Sequence, residues 1–128
     1  MANRIFESPH TPTDSTSCSL SSIENKIIKL EEVSQSRGEK VVLCHGHFNI
    51  IHPGHIRYLD YARQQASKLV VSIEGEASFL NSDRKHHFSE DDRATGVASI
   101  QTVDLVVLLG EGNLEKLIKV LNPAVLVL

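Results

Sequence analysis

The sequence lacks the features that would commit it to a membrane, a nucleic acid or an oxidising compartment. No apolar run approaches the roughly 18 residues a membrane helix needs. There is no basic excess: 13 Lys and Arg face 16 Asp and Glu, for a net charge of -3, so the footprint of a nucleic-acid-binding domain is missing. There are only two cysteines, Cys18 in a polar tail and Cys44 in an apolar run. That distribution excludes a disulfide framework and predicts unpaired thiols in a reducing cytoplasm. The first 20 residues have no apolar core of a signal peptide. They are rich in Ser, Thr and Pro instead, and predict a flexible tail in which His10 is solvated.

What is present suffices for one folded domain, over residues 21–128. Hydrophobic content is 41% in 128 residues, and a chain of this size buries about two-thirds of its unfolded surface without cross-links. The first expected element is a helix over 21–37. A serine start, an apolar face at Ile23, Ile27, Leu30 and Val33, and Gly38 as its stop argue for it. Short apolar runs at 40–44, 68–73, 103–109 and 124–128 then alternate with helical patterns at 55–66, 89–101 and 113–121. In the helix at 55–66 Ile56, Tyr58, Leu59 and Ala62 are expected to face the core. Ser89-Glu90-Asp91-Asp92 is a strong helix start, its acids matching the helix dipole. Pro123 stops the last helix. Alternation of this kind predicts an α/β fold, a Rossmann-like parallel sheet with helices on both faces. The last apolar run reads as a buried strand without closure, so the domain is expected to be C-terminally incomplete.

The chain is organised around 41–61, VVLCHGHFNIIHPGHIRYLDY, where four of the seven histidines fall between positions 45 and 55. An apolar strand breaks at His45-Gly46-His47, and Pro53 suits the first position of the helix that follows. Ligands of open α/β sheets sit beyond the carboxyl ends of strands. Gly46 lets backbone approach a ligand, and Gly54 leaves room beside the free N–H groups of a helix start. His52 and His55, three apart, reach one side of that turn. Two imidazoles beside a helix N-terminus form a donor cluster suited to phosphate. Two other readings stay open here: His52 and His55 as plain helix caps, and His45, His47 and His52 as a transition-metal site. Cys44 reads as a buried strand residue, and His86-His87 as a solvated loop pair or a substrate contact.

Gly46-His47-Phe48-Asn49-Ile50-Ile51-His52-Pro53-Gly54-His55 resembles the G-x-F-D-x-x-H-x-G-H signature of the cytidylyltransferase-like nucleotidyltransferases. The likeness runs from about Ile23 to Leu128. It is nearest to heptose-phosphate adenylyltransferase domains, then to glycerol-3-phosphate cytidylyltransferase. The resemblance implies transfer of a nucleotidyl group from ATP or CTP to a sugar or polyol phosphate, with release of pyrophosphate and help from Mg2+. It implies catalytic roles for His52, His55 and Lys85. It implies nucleotide contacts from Gly46, His47, Phe48, Asn49, Gly54, Arg84 and Arg93, and no protein-held metal. Asn49 stands where the family has aspartate, which implies weaker metal binding. Glu74-Gly75-Glu76 stands where the family often has Asn-Ser-Asp, which implies an altered acceptor pocket. The family also implies a possible homodimer and a further domain beyond residue 128, such as a sugar kinase. The alternatives are cytidylyl transfer to glycerol phosphate and a non-catalytic nucleotide-binding domain of a larger protein.

Overall fold

A computed structural model describes residues 20–35, 39–75, 88–110 and 112–127. In order it contains α1 (Leu20–Glu24), β1 (Ile27–Lys29), a 3-10 turn (Leu30–Glu32), β2 (Val41–Gly46), α2 (Pro53–Arg63), β3 (Lys68–Ile73), α3 (Glu90–Ala98), β4 (Leu105–Leu108), α4 (Leu114–Leu121) and β5 (Val125–Val127). The strands form one sheet in the order β1-β4-β3-β2-β5, and every pairing is parallel. This is the α/β, Rossmann-like architecture expected.

The strand sequences show why the sheet is sandwiched. Val41, Val42, Leu43 and Cys44 are all 0% exposed, as strands covered on both faces must be. Val42 and Cys44 pack with Leu59 and Ala62 of α2 and with Ala94 and Val97 of α3. Val41 and Leu43 point the other way, into a cluster with Leu117 and Leu121 of α4. From β2 the chain steps to β3 and then β4 under α2 and α3. It returns beneath α4 to β5, on the far side of β2. Direction and face reverse together, so these crossovers, from β2 to β5, share one hand. The reversal places a switch point at the carboxyl end of β2, where open sheets of this kind bind ligands.

Four expectations need correction. The helix over 21–37 does not form: α1 ends at Glu24, and the next residues make β1. Ile28 pairs with Val107, and Val106 N–H donates to Lys26 O at 2.8 Å. The apolar spacing is that of a helix, but an open sheet edge offers this β-branched pair a ladder, and tertiary pairing overrides local pattern. Among the described residues the sheet therefore has five strands rather than four. Ile56 was expected on the core face of α2, yet it is 47% exposed, because Leu59 and Ala62 fix the helix rotation. The last strand was expected to be buried. β5 is a sheet edge that pairs with β2 alone among the described residues, and Leu126 is exposed.

Candidate functional site at the end of strand β2

Past Gly46 the chain turns sharply. Phe48 adopts φ 50°, a left-handed conformation rare for a bulky residue, and its ring is buried. That ring lies against His55, centroids 5.6 Å apart and tilted by 55°. α2 then begins at Pro53, with extended His52 as its N-cap.

The two motif histidines cap the helix reciprocally. Gly54 N–H donates to His52 Nδ1 at 3.0 Å, and His52 N–H donates to His55 Nδ1 at 3.2 Å. The rings lie 4.1 Å apart by centroid. Each bond occupies the Nδ1 lone pair, so each neutral ring carries its proton on Nε2. The helix start thus presents two imidazole Nε2–H donors of fixed tautomer. Burial, and then the neighbouring His52, hold the His55 pKa below its ordinary value, which favours the neutral donor form. The capping reading of these residues is therefore correct as geometry, and it leaves their Nε2 atoms for a ligand.

Gly54 has a role that the sequence reading missed. A Cβ there would lie 2.6 Å from Cε1 and 2.9 Å from Nδ1 of His52. The glycine makes room for the histidine ring to fold over the helix start. At Gly46 a Cβ would approach the Phe48 ring to 2.9 Å, so both motif glycines accommodate aromatic neighbours.

His45, Gly46, His47, Phe48, His55 and Tyr58 line a cavity of about 280 Å³ beside this helix start. His45 is fixed at its wall by two partners on β3 or just past it. Nδ1 lies 2.8 Å from Ser72 Oγ, and Nε2 lies 2.5 Å from Glu74 Oε2. A serine, a histidine and a carboxylate in contact resemble a hydrolytic triad. Burial excludes that chemistry: Ser72 is 0% exposed, and its hydroxyl lies 3.4 Å from Cys44 O. Ser72 is legible in retrospect as the one polar residue inside the run LVVSI. Burial pushes up the Cys44 thiol, which keeps it protonated.

Arg93 reaches this region from α3. It is 2% exposed. Its Nε donates to Phe88 O at 3.0 Å, and NH1 donates to His47 O at 3.0 Å and to Glu74 O at 2.7 Å. Asn49 Oδ1 accepts from Phe88 N–H at 2.7 Å. Phe48 separates the histidine-lined cavity from an apolar one of about 420 Å³, walled by Ile50, Ile51, Phe88 and Gly96. Gly46, His47, Phe48, Asn49, His52, Gly54, His55 and Arg93 are thus brought to one end of the sheet. Arg84, Lys85, His86 and His87 lie outside the described residues.

Among the described residues no three His, Cys, Asp or Glu side chains converge on a metal-sized site. Of the three histidines in the metal reading, both His45 nitrogens and His52 Nδ1 have partners within the protein. Among the described residues the cavity lining is imidazole-rich and carries no carboxylate, which fits a divalent ion arriving on a ligand's phosphates.

Residues 43–128 match the family described as cytidylyltransferase-like. The bifunctional protein HldE of Hydrogenovibrio crunogenus is 37% identical over 106 residues, 81% of this chain and 22% of its own length. HldE of Helicobacter pylori strain J99 is 40% identical over 101 residues, 77% of this chain and 22% of its own. The chain therefore spans about a fifth of these curated relatives. The crystal structure of a lipopolysaccharide core biosynthesis protein from Thermoplasma volcanium superposes with a TM-score of 0.60 at 26% identity, over 70% of this chain and 73% of that one.

Proposed function

The chain belongs to the cytidylyltransferase-like family, and on that premise we propose that it transfers a nucleotidyl group from ATP or CTP to a phosphorylated sugar or polyol. The observation that carries this reading is the reciprocal histidine cap. It sets two Nε2–H donors at the start of α2, beside the crevice where β2 ends, while His52 itself takes up the first-turn N–H groups of Gly54, His55 and Ile56 that were expected to be free. An acceptor phosphate oxygen attacks the α-phosphorus. The new P–O bond forms as the bond to the bridging oxygen breaks, and pyrophosphate leaves with the electron pair. His52 and His55 stabilise the charge that gathers on the phosphate oxygens. They need not exchange protons, because each donor is neutral at the start. Mg2+ bound to the triphosphate supplies further charge neutralisation. Lys85 and Arg84 are assigned to the triphosphate by the family resemblance.

Adenylyl transfer to a heptose-type phosphate is favoured. The motif resembles that group, and a solved relative is named for lipopolysaccharide core biosynthesis. The name "bifunctional" on the HldE relatives supports a second activity in the longer protein. The decisive experiment pairs each nucleoside triphosphate with a panel of sugar and polyol phosphates and reads pyrophosphate release. A substrate-dependent signal that falls about 10²-fold in His55→Ala is expected. No release with any pair, or an unaffected variant, overturns the proposal.

A further inference from the structure

We propose that Asn49 and Arg93 form a latch around Phe88 that fixes the crevice rim, and that both are positioning residues rather than phosphate ligands. Phe88 is gripped at both ends of its backbone. Its N–H donates to Asn49 Oδ1 at 2.7 Å, and its carbonyl accepts from Arg93 Nε at 3.0 Å. The same guanidinium holds His47 O at 3.0 Å and Glu74 O at 2.7 Å. Three segments are tied at one buried side chain: the loop after β2, the end of β3 and the approach to α3.

The ring so closed runs from His47 through Arg93 and Phe88 to Asn49, and Phe48 is the residue between its ends. Phe48 stands at φ 50°. A bulky residue in that region is strained and persists only where its surroundings over-determine it. The latch supplies that determination by holding both neighbours. Phe48 in turn packs on His55 at 5.6 Å and lines the histidine cavity. The latch therefore acts on the proposed chemistry through Phe48 and His55.

An amide oxygen is all the latch requires of residue 49. An aspartate would accept the Phe88 N–H equally well, and the asparagine makes that contact without a charge. Arg93, at 2% exposure, directs Nε and NH1 at three backbone carbonyls.

The catalytic consequence rests on the nucleotidyl-transfer reading, whereas the latch itself does not. The full chain is compared with Asn49→Asp, Asn49→Leu and Arg93→Lys. Phe88 amide exchange is followed by NMR, ATP and CTP affinity by calorimetry, and kcat and KM by pyrophosphate release. Phe88 should exchange at least tenfold faster in Asn49→Leu and within threefold of the parent rate in Asn49→Asp. Nucleotide affinity should shift less than threefold in Asn49→Leu while kcat falls tenfold or more, with Asn49→Asp recovering most of it. Arg93→Lys should lose Phe88 protection, since one ammonium cannot span three carbonyls. Retained protection in Asn49→Leu overturns the latch. So does lost protection in Asn49→Asp, or a tenfold loss of nucleotide affinity in Arg93→Lys with Phe88 still protected. A parent chain that turns over no substrate ends the transferase reading, while the exchange data still decide the latch.

Discussion

At Gly54 two effects of a single methyl oppose each other. Alanine favours a helix over glycine by about 1 kcal/mol. Its Cβ would also sit 2.6 Å from the His52 ring, and expelling that ring costs a cap of about the same size. Gly54→Ala should therefore leave the urea midpoint nearly unchanged while pyrophosphate release drops tenfold or more. A fully active variant would show that His52 does not act from its capped position. His55 adds a pH dependence. Its folded pKa lies below the ordinary value of about 6.5, through burial first and His52 second. The unfolded chain then binds the proton more readily. The contribution is intact above pH ~6.5 and is lost as pH falls toward the lowered folded value. Protonation also removes the Nδ1 lone pair that accepts from His52 N–H. Urea midpoints measured from pH 7.5 down to 5 should decline, and His55→Gln should flatten that decline. Parallel curves would refute the assignment.

Among the elements, those whose local pattern agreed with their environment were legible: β2, α2, β3, α3, β4 and α4 lie where apolar runs and caps place them. Ser89 and Asn113 cap α3 and α4 through Asp92 N–H and Lys116 N–H. β1 was not legible, because a three-residue edge strand is defined by its partner β4 and not by its own sequence. The periodic face of Ile23, Ile27, Leu30 and Val33 was real apolar burial assigned to the wrong geometry. Its members now split between the two cores. The strand reading makes Ile28, 2% exposed, a core residue of the sheet. Ile28→Ala should cost about 2–5 kcal/mol in urea unfolding, whereas the exposed Lys29→Ala should cost under about 0.5 kcal/mol. Equal effects would argue against β1.

For the whole molecule, the site was legible because a contiguous motif carries it: ten residues, Gly46 to His55, supply a turn, a cap and both donors. The His45–Ser72–Glu74 contacts and the grip of Arg93 were not, since they join residues 19 to 46 positions apart and only the strand order brings them together. That same order couples ligand binding to global stability. The crevice is bordered by β2, which pairs with β3 on one side and β5 on the other, so unfolding the sheet dismantles the site. A nucleotide that binds only the folded chain stabilises it by about 2.7 kcal/mol at a hundredfold excess over Kd. For a domain of this size that is a rise of roughly 8 °C or more in Tm. Magnesium-bound ATP or CTP should raise Tm accordingly, inorganic phosphate much less, and His52→Ala with His55→Ala should abolish the rise without lowering the ligand-free Tm by a comparable amount. A nucleotide shift that survives loss of both imidazoles would place binding elsewhere in the molecule.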